Sequence, residues 1–226
     1  KAVFPEYNDN LHCKEIRKIP GVKIQVGLDF GLSPAAIFGQ HTPEGQWRVY
    51  SEVIGEGMNI YQFAAAIKQH VAENYRGFKI GKITGDPSGT NRSASDQKSR
   101  TTFQILKSEG VLAVPAPDLS NDIVRRLAAG QAPLGRLING EPGFLIDPAA
   151  AVLRKGLAGG YAYKRVKVSG DERFKDTPDK NRYSHPCDGC QYLLQGGGEY
   201  ERIIDHGNTQ VRPDQLDSYE VMDGVM

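Results

Sequence analysis

Apolar and polar positions alternate over residues 22–30: Val22, Ile24, Val26 and Leu28 fall on one face, Lys23, Gln25, Gly27 and Asp29 on the other. That period of two predicts a β-strand, with Asp29 emerging at its end outside the apolar row. After the turn Gly31-Leu32-Ser33-Pro34, residues 35–41 read as a second strand, 42–46 as a Pro/Gly turn and 47–54 as a third strand. Together they predict an antiparallel meander. Ile60, Phe63, Ala64, Ile67 and Val71 then recur at spacings of three and four, which predicts an amphipathic helix ending before Gly77. Residues 78–84 give a fourth strand that runs into Gly85-Asp86-Pro87-Ser88-Gly89.

A helix carrying Phe103, Ile105 and Leu106 follows, then a short strand over 111–114 and a helix from about Asn121 with Arg125, Arg126 and Leu127. The order strand, strand, strand, helix, strand, helix, strand, helix implies an α/β fold, a mixed sheet covered by helices. Residues 144–147, a helix over 149–157 and a Gly159-Gly160-Tyr161 hairpin look like additions to that frame. A last helix starts near 184–186, where Ser184 or His185 can cap and Pro186 suits the first turn, and runs through Leu194. Residues 1–20 scatter apolar groups among Pro5, Asn8, Asp9, Asn10 and Pro20 and predict a loosely packed linker. Past Gly196-Gly197-Gly198 the apolar period collapses, so the domain is expected over 21–198 and a flexible acidic tail over 199–226.

With 226 residues, 39% hydrophobic and 24% charged, the chain suits one soluble globular domain. No apolar run approaches the roughly 18 residues of a membrane span, and residues 1–5 lack a signal core. Cys13, Cys187 and Cys190 are an odd number in a chain too large to need stapling, which predicts free thiols in a reducing compartment. The chain opens on Lys1, within what reads as an extended segment, and this predicts a piece of a longer polypeptide with a domain upstream. The net charge of +1 hides an asymmetry: seven acids against two arginines put residues 199–226 at −5, leaving +6 on the rest. A body of that charge permits phosphate binding by counterion release without requiring it.

The candidate chemistry lies in three carboxylates. Asp29 and Asp86 each sit just past an apolar strand, beside glycines that leave room around them. Asp188 falls in the first turn of a helix, at the edge of the stripe Cys187, Cys190 and Leu194, with Tyr192 one turn on. If the fourth strand pairs beside the first, Asp29 and Asp86 meet at the strand ends. Bare carboxylates so close would repel, and Mg²⁺ or Mn²⁺, which prefer hard oxygen ligands with open water positions, remove that cost. Two such ions about 4 Å apart activate a water on one side of a phosphodiester and neutralise the leaving oxygen on the other. A lone Asp after a strand is usually a turn or cap residue; three in this topological arrangement argue against that reading.

Three segments, 27–36 around Asp29, 85–89 around Asp86 and 180–192 around Asp188, resemble the signature regions of phage terminase large-subunit nucleases. Asn121-Asp122 with Arg125 and the run 144–148 also look like that family, so the likeness extends from about residue 4 to residue 198. The resemblance implies an RNase H-like fold, two Mg²⁺ or Mn²⁺ ions held by Asp29, Asp86 and Asp188, and endonucleolytic cutting of concatemeric double-stranded DNA during packaging. It further implies an ATPase motor upstream in the same polypeptide, portal and small-terminase partners, and work in the cytoplasm of a bacterial host. No GxxxxGK[ST] occurs here, so this chain alone is not expected to hydrolyse ATP. Lys180 and His185 match the family pattern, where a cation contacts the scissile phosphate; a solvated lysine and a helix-start histidine are the plainer alternatives. Gly189 and Cys190 depart from the pattern, and a glycine costs up to about 1 kcal/mol inside a helix, which predicts local weakness there.

Other signals remain open beside these. Cys187 and Cys190 with His185 invite a zinc site, but four ligands would need the distant His12 and Cys13, and the same cysteines fit an apolar helix face. Lys98 with Arg100, Arg125 with Arg126, and Arg154 with Lys155 read as solvated basic faces, while Lys164, Arg165 and Lys167 on a hairpin arm are the best candidates for gripping DNA backbone. Asp29-Phe30-Gly31-Leu32-Ser33 also resembles the first phosphate loop of actin-like and sugar-kinase-like ATPases, although no second Asp-x-Gly-Gly loop appears. A DNA-holding or docking domain without catalysis is the third reading.

Overall fold

The computed structural model describes residues 1–92, 99–166 and 173–208, the side chains of 206–208 excepted. In chain order the elements are α1 (Asp9–His12), β1 (Ile24–Asp29), β2 (Ala35–His41), β3 (Trp47–Ile54), α2 (Ile60–Asn74), β4 (Ile80–Gly85), α3 (Thr102–Ser108), β5 (Ala113–Pro115) and α4 (Ile123–Gln131). There follow β6 (Leu137–Ile138), β7 (Glu141–Pro142), β8 (Phe144–Ile146), α5 (Ala151–Lys155), β9 (Tyr163–Val166), β10 (Arg173–Pro178), α6 (Ser184–Leu194) and α7 (Tyr200–Asn208). Among the described residues no helix is long and apolar enough to cross a membrane.

Six strands form one mixed sheet in the order β5-β4-β1-β2-β3-β8. The meander β1, β2, β3 is antiparallel, β4 lies parallel beside β1 with Leu28 opposite Gly85, and β5 lies parallel beside β4. This is the pairing the element order implied, and it sets the ends of β1 and β4 side by side. Residues 144–146 are not an addition: β8 closes the far edge, parallel to β3. The short register of Trp47, Arg48 and Val49 against it leaves too little period for sequence to show the pairing.

Alternation along the strands feeds two cores. Val26, Leu28, Ala36 and Phe38 pack with Phe63, Ala64, Ile67 and Leu106 from α2 and α3 on one face. Ile37, Trp47, Val49 and Ile146 pack with Cys187, Cys190, Leu193 and Leu194 of α6 on the other. Local signals start the first of these helices where the pattern placed it: Asn59 accepts from the backbone N–H of Tyr61 and Gln62, and Gln62 accepts in return from the N–H of Asn59.

Helix α6 sits on β1 at backbone range. A Cβ at Gly27 would lie 2.1 Å from the Gly189 carbonyl oxygen and 2.5 Å from the Leu193 nitrogen. Gly189, expected to weaken the helix, instead marks the point where α6 meets the sheet. Gly27→Ala should therefore push α6 off the sheet and destabilise the fold by about 1–3 kcal/mol, the usual range for overpacking, as read by denaturant unfolding. Wild-type stability in that variant would show the contact to be looser than it stands.

Two end segments differ from expectation. Val3 and Phe4 are buried, the Val3 N–H donates to the Tyr161 carbonyl, and Gln40 clamps the backbone of Ile19 and Val22. Part of the segment 1–20 thus joins the core: Val3, Phe4 and Tyr7 bury from irregular backbone, which leaves no period to read, while Leu11 stays exposed. Beyond Leu194 the helical path runs on, kinks at Gly198, whose φ is 111°, and resumes as α7. The glycines serve close packing, since a Cβ at Gly196 would lie 2.0 Å from Thr84 Oγ1 and one at Gly197 2.1 Å from Trp47. Glu199 is fully buried, accepts from Trp47 Nε1 at 3.0 Å and pairs with Arg136 at 2.6 Å, so the flexible tail does not begin there. Residues 209–226, with the rest of the expected acidic tail, lie outside the described residues.

Candidate metal centre

Asp29 ends β1, Asp86 follows β4, and Asp188 stands in the first turns of α6, directly before the glycine that touches β1. Because β1 and β4 are parallel and in register, the first two carboxylates leave adjacent strand ends; the Asp86 N–H donates to the Leu28 carbonyl at 3.0 Å. The phenol of Tyr192 reports on all three. Its pKa is driven upward first by burial and further by the charges of Asp86, Asp188 and Asp29, against the lowering pull of Arg126.

Each carboxylate has its own partners. Asp29, 4% exposed, lies with Oδ2 2.8 Å from His185 Nδ1 and accepts from the Gly31 N–H at 3.1 Å. Gly31 makes that approach feasible, for a Cβ there would lie 2.1 Å from His185 Cε1. Burial pushes the Asp29 carboxyl above the usual range, the His185 bond pulls it back, and the nearby Asp188 charge adds to the rise. The bond to Asp29 in turn raises the His185 pKa above its ordinary value, against the lowering effect of burial.

Asp188, fully buried, takes Lys180 Nζ on Oδ2 at 2.6 Å; on Oδ1 it faces an Arg126 nitrogen at 3.4 Å and accepts from Tyr161 OH at 3.2 Å. Lys180 is placed beside the helix start by the Asn181 turn, whose Oδ1 accepts from the Tyr183 N–H and whose Nδ2 donates to the Gly160 carbonyl. Asp86, half-buried, accepts on Oδ1 from the Ser88 N–H at 2.8 Å and from Asn121 Nδ2 at 3.1 Å.

The three aspartates therefore border one region, yet among the described residues no three carboxylate, imidazole or thiol groups stand close enough to grip a single ion. Like charges repel, and each carboxylate turns to the nearest donor. The chemistry of the set fits a divalent cation: hard carboxylate oxygens, two of the three groups buried, with the charge of Asp188 acting on Asp29.

No protein-family model matches the sequence, and no curated protein does. Solved structures do. The large terminase of the thermophilic bacteriophage D6E aligns over 86% of this chain with a TM-score of 0.62 and 14% identity, and the chain spans 44% of that protein's length. The P22 large terminase nuclease domain aligns over 89% of this chain and 92% of its own, at 0.56 and 13% identity. The nuclease domain of the SPP1 large terminase, solved with bound Mn, aligns over 82% of this chain and 96% of its own, at 0.50 and 16% identity.

The chain has the RNase H-like fold of large-terminase nuclease domains.

On this terminase-nuclease fold the other candidates separate. Lys180 and His185 both reach the carboxylates. Lys164 and Arg165 are exposed on β9, and Lys167 lies outside the described residues, as does Lys98. Arg126 is a correction: read as part of a solvated pair, it is buried against Asp188 and Tyr192. Arg154 is held by Asp9 in a two-point ion pair and is no phosphate grip. The zinc reading also falls, because Cys187 and Cys190 are buried free thiols in the core and both ring nitrogens of His12 lie against backbone groups, Nδ1 on Asn8 and Nε2 on the Leu134 carbonyl.

Asn121, Tyr161 and Arg126 were missed as site residues. Helical phase was the available signal for Arg126, three positions after Ile123 on the inward side of α4. Another constellation, Ser51, His70 and Asn74, looks like a nucleophilic triad and is not one. Asn74 Nδ2 donates to the His70 carbonyl at 3.0 Å and faces His70 Nδ1 at 3.2 Å, so Nδ1 accepts. The proton is then on Nε2, pointing at Ser51 Oγ at 2.8 Å, where a general base would need a lone pair.

Proposed function

We propose that this chain is the nuclease domain of a phage large terminase, a metal-dependent endonuclease that cuts concatemeric double-stranded DNA as genomes are packaged. One observation carries the reading: Asp29, Asp86 and Asp188, from two neighbouring strand ends and the helix laid across them, border one region around Tyr192 in the terminase-nuclease fold. These three would hold two Mg²⁺ or Mn²⁺ ions. Bound there, such ions supply an activated water and charge neutralisation at the scissile phosphate.

The protein's own groups prepare that chemistry. Arg126 and Tyr161 fix the Asp188 carboxylate from the buried side, and Gly31 and His185 do so for Asp29. Lys180, with 66% of its side chain exposed, is long and flexible enough to leave Asp188 and meet a phosphate oxygen. Lys164, Arg165 and Lys167 are proposed contacts to DNA backbone, which position the duplex without reading its sequence. On the same reading the native polypeptide carries an ATPase motor upstream, meets portal and small subunit, and works in the cytoplasm of a bacterial host.

Supercoiled plasmid incubated with the 226-residue chain tests this. Nicked and linear products should appear with Mn²⁺ or Mg²⁺ and vanish with EDTA. Plasmid left intact by both metals but retarded in a gel would favour a DNA-holding domain, and a calorimetric heat with ADP would favour the actin-like reading.

A further inference from the structure

The loop between β5 and α4 carries a residue whose side chain reaches across the site. Asn121 has φ of 53°, in the left-handed region that side chains rarely adopt and that asparagine tolerates better than most. Its turn is clasped from both sides. The Asn121 N–H donates to the Asp118 carbonyl, and the buried Asp118 carboxylate accepts from both the N–H and the hydroxyl of Ser120. Asp122 then caps α4, accepting from the N–H of Val124 at 2.9 Å and of Arg125 at 3.0 Å. The helix start is thus provided for without the side chain of Asn121.

That side chain instead joins two of the aspartates. Nδ2 donates to Asp86 Oδ1 at 3.1 Å, while Oδ1 accepts from Tyr192 OH at 3.1 Å and from an Arg126 nitrogen at 3.2 Å. The amide can sit only one way round, because a guanidinium has no acceptor and an ionised carboxylate no donor. Another nitrogen of the same Arg126 lies 3.4 Å from Asp188 Oδ1. One amide therefore sets Asp86, which follows β4, against the guanidinium that faces Asp188 on α6.

We propose that Asn121 is a positioning residue that orients the Asp86 carboxylate and keeps it in step with Asp188 for cation binding. The proposal rests on the nuclease reading. Groups that orient a metal-binding carboxylate commonly change metal affinity by about 10- to 100-fold when removed, and that is the scale expected here.

Asn121→Gly removes the amide and keeps the left-handed backbone at no steric cost. Mn²⁺ is titrated by calorimetry into the full chain and its variants. Asn121→Gly should melt close to wild type, bind Mn²⁺ about tenfold or more weakly, and lower kcat for plasmid cutting while KM for DNA stays put. Tyr192→Phe, nearly isosteric, removes one anchor of the amide and should weaken Mn²⁺ by a few-fold. Wild-type Mn²⁺ affinity in Asn121→Gly overturns the proposal; should that variant unfold, wild-type affinity in Tyr192→Phe overturns it equally. Asp86→Asn separates the two levels of inference. If Mn²⁺ binding in wild type does not respond to Asp86→Asn, the nuclease reading itself fails; if it does respond and the Asn121 and Tyr192 variants do not follow, only the role of Asn121 fails.

Discussion

Asp29→Asn should abolish plasmid cutting while the protein stays folded and melts no lower than wild type. The expected loss is at least about 1,000-fold in rate, roughly 4 kcal/mol of transition-state stabilisation at 1.36 kcal/mol per tenfold. Stability should be spared for reasons visible at the site. Asp29 is buried, its ionisation is opposed by burial and by the neighbouring Asp188 charge, and the His185 bond offsets part of that opposition. An asparagine removes the opposed charge and keeps the geometry, since its Oδ1 can still accept from the Gly31 N–H and from a neutral His185 Nδ1–H. Circular dichroism melting and a plasmid assay on the same sample decide. Loss of cutting together with loss of fold would make Asp29 a structural residue and leave the cutting centre without its central ligand.

The residues legible in sequence were those whose signal is local. Alternation placed Asp29 at the end of β1, a Gly-Asp-Pro-Ser-Gly run placed Asp86 after β4, and the meander followed by a helix implied that these two strands are neighbours. Asp188 was placed by the helix start at Ser184 and Pro186. Each of the three was placed by residues close to it along the chain, and only the pairing of β1 with β4 needed the order of the elements between them.

What escaped depends on partners far away in sequence. Arg125 and Arg126 are chemically alike, and which one is buried is decided by Tyr192, 66 positions on, and by Asp188. Tyr161 follows two glycines that read as a turn, yet it packs in the core and donates to Asp188. Glu199 looks like the first acid of a polar tail until Arg136 and Trp47 are set around it. The same holds at the other end, where Val3 and Phe4 are made core residues by Gly130 and Gln131 of α4 and by Tyr161 rather than by any period of their own. In each case the deciding contact joins elements that sequence pattern can predict separately but cannot dock.

Arg126→Met should produce the largest loss of stability, about 3–5 kcal/mol, the range for removing one partner from a buried ion pair. For a chain of this size that corresponds to a fall in Tm of roughly 6–20 °C. The methionine fills much of the guanidinium's volume, so the loss is one of charge: the fully buried Asp188 would keep Tyr161 and the largely exposed Lys180 as partners. Lys180→Met removes a cation from the same carboxylate, but an exposed lysine exchanges its partner for water at little cost, and its loss should be about 1 kcal/mol or less. The two variants carry the same change in net charge and differ in burial, so the gap between them measures what burial adds. Adding Asp188→Asn to Arg126→Met should recover much of the stability, because the buried charge left with only an exposed lysine is then gone. Equal melting of Arg126→Met and Lys180→Met would mean that Asp188 does not depend on its buried partner, and the account of how this carboxylate is held would have to be rebuilt around Lys180.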